Sequence, residues 1–320
     1  MTRFAKEQLF RTIVDSTSCP LPLEPHESMV MLGSCFAEHM GSRFWENRLC
    51  AVVNPLGVVY NPMSIVRLLT AAESDAESDF SQREGMWHTW LGSSLLSRPT
   101  KTECMQATND ALRLLHETLA RADRLFLTFG TSRCYQLRNT ENVVANCHRF
   151  PAAEFIESEM SVEEMLQALD AALTNWHERN PRLKVVLTVS PYRYAKYGFH
   201  ESQLSKARLL LMVDALCKRH SDWIDYFPAY EIVMDELRDY RFYASDMLHP
   251  SEQAVDYIWQ RLREDWMSDE MNSFLDRYRP ILLAENHRPL VEGDPANMAL
   301  RQRIEQQRAE LQKDYPYLKL

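Results

Sequence analysis

Five short apolar runs punctuate the chain: Val30-Met31-Leu32, Cys50-Ala51-Val52-Val53, Leu125 to Phe129, Lys184 to Val189, and Trp223 to Phe227. Each has the length of a strand, and their near-continuous apolarity is that of strands covered on both faces. Between them the period changes to that of a helix. Phe36, Met40 and Phe44 share one face of a helix ending near Asn47, and Ile65, Leu68, Leu69 and Ala72 share one face from Pro62 to Ala72. Leu112, Leu115 and Leu119 do the same between Cys104 and Ala122. Further helices are predicted over Ser161 to Trp176, with a capping box from Ser161 to Glu164, and over Gln203 to Cys217, Tyr230 to Arg238 and most of the chain after Pro250. Strands alternating with helices predict an α/β fold, a three-layer α/β/α sandwich around a central parallel sheet. Its ligands belong outside the carboxyl ends of the strands.

The remaining segments read as connections. Residues 1–27, with Pro20, Pro22 and Pro25, are expected to form an N-terminal extension packed on a main domain of residues 28–267, and residues 268–320 a C-terminal helical extension. Glu73 to Thr102 reads as a long irregular loop carrying Trp87, His88 and Trp90. Tyr135 to Cys147 reads as a hairpin about Asn139-Thr140-Glu141-Asn142 that could return Asn146 toward Gly130. The charged tail from Arg301 to Lys313 reads as a solvated face.

Two distant stretches carry candidate chemistry. In Gly33-Ser34-Cys35-Phe36-Ala37 a tight turn lifts Ser34 from the end of a strand to the start of a helix. Backbone N–H groups and the helix dipole there favour developing negative charge. Ser is also a favoured N-cap, which is the plain alternative. More than two hundred residues on, Asp246-Met247-Leu248-His249-Pro250-Ser251 sets an Asp three residues before a His, a spacing that lets the carboxylate orient the imidazole. The plain alternative is a loop that caps the next helix, with Pro250 at its start. Cys35 is a second potential nucleophile beside Ser34, and its plain reading is a small buried hydrophobe.

Gly33-Ser34-Cys35-Phe36-Ala37 resembles the motif that names the GSCFA family, placed among the SGNH or GDSL-like hydrolases, and Asp246, His249 and Pro250 resemble the terminal Asp-x-x-His block of that superfamily. The likeness extends through Asn54-Pro55-Leu56-Gly57, Tyr60-Asn61-Pro62, Leu127 to Thr131, Val144 to His148, Thr188 to Pro191, Asp239 to Tyr243 and His287-Arg288-Pro289. The resemblance implies a flavodoxin-like, SGNH-type fold and an acyl hydrolase using Ser34, His249 and Asp246. It also implies an oxyanion hole from the Ser34 and Gly57 N–H groups. One departure stands out. The superfamily's Gly-x-Asn becomes Gly130-Thr131-Ser132, so Ser132 stands where a donor Asn would be, and Asn146 and His148 are further candidates. Gly57 as a turn glycine, Asn146 as a turn residue and His148 as a satisfied histidine are the alternatives. Arg193 follows the fourth strand and could hold an anionic substrate group or tie down a loop.

Composition narrows the choice. With 320 residues and 45% hydrophobic content the chain can bury a full core, and a formal charge of −9 argues against a phosphate-backbone partner. Seven cysteines with no C-x-x-C pair and ten scattered histidines signal neither disulfide framework nor metal, and no cofactor is implied. No long apolar run marks a leader or membrane span, so a cytoplasmic location is the expectation. The expected substrate is a small ester or an acylated glycan or lipid. Two alternatives remain: an O-acyltransferase using the same acyl-enzyme, and a catalytically weak glycan- or protein-binding module.

Overall fold

The computed structural model describes residues 12–15, 21–72, 77–287 and 295–320. Arg288 and Pro289 of the last motif, and most of residues 1–20, lie outside the described residues. The central sheet is built from β1 (Met29–Gly33), β2 (Ala51–Val53), β5 (Arg124–Phe129), β9 (Lys184–Val189) and β10 (Ile224–Tyr226). All neighbours pair in parallel, in the order β10-β9-β5-β1-β2. The side chains of β1 and β5 are wholly buried, while β2 and β10, at the edges, are short and partly covered. Short edge strands limit unwanted pairing with other chains.

Alternation along the strands divides the core in two. Val30, Leu32, Leu125, Leu127, Val185 and Leu187 face α2 (Pro62–Thr70), α3 (Lys101–Leu119), α4 (Val162–Arg179) and α5 (Phe199–Arg219). Met29, Met31, Phe126 and Val186 face α1 (Cys35–Glu46) and α7 (Glu252–Trp266). Met271, Phe274, Tyr278 and Ile281 of α8 (Asp269–Glu285) join this second cluster, as do Ile304 and Leu311 of α9 (Pro295–Asp314). The expected solvated tail is therefore corrected: its charges lie outside, but Ile304 and Leu311 are buried. The short α6 (Ala229–Glu231) runs into a wide helical turn over Ile232–Leu237 rather than the regular helix expected there. Among the described residues no helix is long and apolar enough to cross a membrane.

The segment expected to be one long loop holds a two-stranded hairpin, β3 (Phe80–Arg83) and β4 (Met86–Thr89). Its tight turn is made by Glu84 and Gly85, both at positive φ, the form that matches strand twist in two-residue hairpins. The expected second hairpin is present as β6 (Arg133–Leu137) and β7 (Val143–Val144), with β8 (Phe155–Glu159) added on the other side of β6. Trp90, Leu137, Val144 and Phe155 form a small core between these two sheets. Ala145 N–H donates to Trp90 O at 2.9 Å, so the two additions are tied together.

The chain places β2 on one side of β1 and β5 on the other, so the carboxyl ends of β1 and β5 flank the point where the winding reverses. Gly33 ends β1 at that point with φ +146°, and a Cβ there would lie 2.3 Å from Thr128 O and 2.8 Å from Thr128 N. Gly85 also has positive φ, but nothing lies within 4 Å of its missing Cβ. The two glycines separate crowding from backbone strain. Gly33→Ala is expected to cost at least ~3 kcal/mol in denaturant unfolding, and Gly85→Ala only about 1 kcal/mol. Equal costs would show that the approach of β1 to β5 is not what requires Gly33.

Candidate active site

Ser34 follows Gly33 as the N-cap of α1, and its Oγ accepts from Phe36 N–H at 3.3 Å. It is 4% exposed. Gly33 N–H donates to Asn54 Oδ1 at 2.9 Å and Val59 N–H donates to Gly33 O at 3.1 Å, so the segment after β2 is fastened to the turn. The Cys35 thiol beside it is pushed above its ordinary pKa by burial and then by the Glu38 carboxylate, which disfavours the thiolate.

The Asp246 to His249 loop is a tight turn. Met247 sits at φ +59°, Met247 N–H donates to Ala244 O, and Ala244 N–H donates to His249 O. Asp246 Oδ1 accepts from the N–H groups of Leu248 (2.8 Å) and His249 (3.0 Å), and Oδ2 lies 2.5 Å from His249 Nδ1. A carboxylate only accepts, so the imidazole proton is on Nδ1 and Nε2 carries the lone pair. The His249 ring, followed by the two backbone donors, holds the Asp246 carboxyl down at about 2. The loop itself is anchored from β9: Arg193 N–H donates to Leu248 O at 3.0 Å and its guanidinium to Met247 O at 3.3 Å. Arg193 also lies over the Phe199 and Tyr243 rings. Here it ties a loop to backbone carbonyls.

Tyr192 links the two stretches. Its ring centroid is 4.5 Å from that of His249, and its hydroxyl is within electrostatic reach of both Cys35 and Asp246. Beyond the loop, Arg43 of α1 pairs with Glu252 (2.8 Å) and Asp256 (2.7 Å) in the first turns of α7. The start of α1 and the extension of β9 follow the carboxyl ends of their strands, and the Asp246 loop is tied to the β9 extension through Arg193.

The other expected site residues have different partners. Gly57 N–H donates to Asn54 O at 2.7 Å, in a turn at φ +79° where a Cβ would lie 1.9 Å from Ser93 Oγ. Ser34 N–H itself donates to Thr128 O at 3.1 Å. Ser132 is wholly buried, its N–H donating to Ser205 Oγ at 2.8 Å and its hydroxyl lying 3.1 Å from the same oxygen. Asn146 Oδ1 accepts from His148 N–H at 2.8 Å in a local turn. The His148 ring is buried between Thr89 O and Ser94 Oγ and stacked on His88, and burial lowers its pKa to about 4. Gly130 N–H donates to Tyr60 O at 2.7 Å.

Lys206 is the residue that sequence reasoning passed over. It is 2% exposed, and its Nζ donates to Gly130 O and Ser190 O, both at 2.7 Å, clamping the ends of β5 and β9. The signal was present: Lys206 stands in the helical stripe of Ser202, Leu209 and Val213, where a charge has no ordinary place. Burial lowers its pKa to about 7 from an ordinary 10.5. At pH between those values the unfolded chain holds a proton here that the folded chain lacks, so folded-state stability rises with pH. As pH is raised from about 7 to about 9, the wild-type unfolding midpoint should therefore gain on that of Lys206→Met. Parallel curves for the two proteins would contradict this.

Comparison with protein-family models matches residues 28–262 to the GSCFA family. Comparison with curated proteins gives no match. Similar solved structures include a candidate platelet activating factor from Streptococcus pneumonia, with 13% identity and a TM-score of 0.40 over 76% of this chain and 84% of that one. Another is the acetyl xylan esterase Est2A from the rumen bacterium Butyrivibrio proteoclasticus, with 9% identity and a TM-score of 0.37 over 76% of this chain and 65% of that one. The family match spans most of the chain and includes both the Ser34 turn and the Asp246 to His249 loop, and the chain belongs to the GSCFA family.

Proposed function

We propose that this chain is a serine-dependent acyl hydrolase acting on a carboxylic ester. The observation that carries the reading is the Asp246–His249 pair, with Nδ1 held by a carboxylate and Nε2 left to accept a proton, on the edge where Ser34 begins α1. Ser34 Oγ attacks the ester carbonyl as His249 Nε2 takes its proton. The same imidazole then protonates the departing alcohol, and a water activated in its turn releases the acid. Asp246 keeps the imidazole oriented and stabilises its protonated form. The chemistry needs no cofactor, and a small-molecule ester is the partner it calls for.

Hydrolysis of p-nitrophenyl acetate and longer homologues tests the roles. Ser34→Ala and His249→Ala should each lower kcat/KM by about a thousandfold or more, and Asp246→Asn by less. Ser132→Ala and Asn146→Ala should stay within about fivefold of wild type, well short of the hundredfold or more that loss of an oxyanion donor brings. Full activity in Ser34→Ala would remove the mechanism.

A further inference from the structure

We infer that the side-chain amide of Asn54 donates a hydrogen bond to the oxyanion formed at Ser34, in the place of the donor that Gly130-Thr131-Ser132 lacks. The inference rests on the reading of Ser34 as the nucleophile. Asn54 follows β2 at φ +42°, a conformation Asn tolerates, and its side chain turns back onto the end of the neighbouring strand. Oδ1 accepts from the N–H of Gly33, the residue before Ser34. An N–H can only give to oxygen, so this bond fixes which way the amide faces and leaves Nδ2 on the free side.

Nδ2 is buried and has no acceptor, in a residue only 7% exposed. A buried donor without a partner is uncommon and costly. An acceptor that arrives with the substrate accounts for it. Ser34, the next residue of the same turn, is itself 4% exposed. Three of the expected donors are meanwhile occupied: Ser34 N–H by Thr128 O, Gly57 N–H by Asn54 O and Ser132 by Ser205.

In the step concerned, Ser34 Oγ bonds to the carbonyl carbon and its proton passes to His249 Nε2. The carbonyl π pair moves onto oxygen, which Asn54 Nδ2–H then contacts without giving up its proton. When the pair returns, the bond to the alcohol breaks and that alcohol leaves with the proton from His249. An amide fixed in advance costs no reorganisation as the charge develops.

Asn54→Asp separates this role from a structural clamp, because a carboxylate keeps an acceptor for Gly33 N–H and tolerates positive φ but has no N–H to give. Asn54→Gly, also at ease with that φ, carries the test if the charged variant does not fold. With p-nitrophenyl acetate, kcat should fall about a hundredfold to a thousandfold while KM stays within about threefold. Affinity for phenylboronic acid, which forms a tetrahedral anion on an active serine, should fall in parallel with kcat/KM. Turnover within about fivefold of an active wild type, or a loss with unchanged boronate affinity, would overturn the inference alone. A wild type no more active than Ser34→Ala would overturn the reading of the site and the inference with it.

Discussion

A missing side chain at Gly33 lets β1 and β5 stay in contact to the last residue of the sheet. The register runs from Met29 opposite Arg124 to Gly33 opposite Thr128, and Ser34 N–H then reaches Thr128 O. Any Cβ at Gly33 would lie against the Thr128 backbone. The same glycine gives its N–H to Asn54 and accepts from Val59, so the turn that carries Ser34 is fastened to both neighbouring strands. A helix then starts at Cys35 with Ser34 as its cap. Strand register, chain direction and the placing of one hydroxyl all follow from one residue that has no chemistry of its own.

The opposite wall is made by other means. Asp246 collects one ring nitrogen and two backbone N–H groups, which holds a solvent-exposed loop to one shape, and Arg193 fastens that loop to the end of β9. Beneath this edge Lys206 spans Gly130 O and Ser190 O. A buried ammonium is expensive, which is why burial lowers the pKa of this amine, and its Nζ is held by carbonyl oxygens at the carboxyl ends of two strands beside the candidate site.

The parts that were legible in the sequence are those fixed by local pattern. Leu125 to Phe129 and Lys184 to Val189 announce central strands because both faces are covered, and the capping box at Ser161 marks the start of α4. Phe80-Ser81-Gln82-Arg83 and Phe155 to Glu159 were missed as strands because one face is polar and Ile156 points outward, so neither reads as apolar or strictly alternating. At the candidate site, the local partners Asp246 and His249 could be read from a spacing of three. Asn54 and Lys206 could not be placed, because their partners, at Gly33 and at Gly130 and Ser190, are brought to them only by folding. Ser132 was expected beside the oxyanion by position in a motif, and its actual partner, Ser205, lies on a helix far along the chain.

The central claim is that Ser34, and not the adjacent thiol of Cys35, is the nucleophile. Incubation with a fluorophosphonate followed by mass spectrometry of the digested protein locates the reactive atom directly. A single phosphonyl adduct on Ser34, absent when His249 is replaced by Ala, is the result expected of a hydroxyl activated by an oriented imidazole. An adduct on another residue, or no adduct in a folded protein, would contradict it.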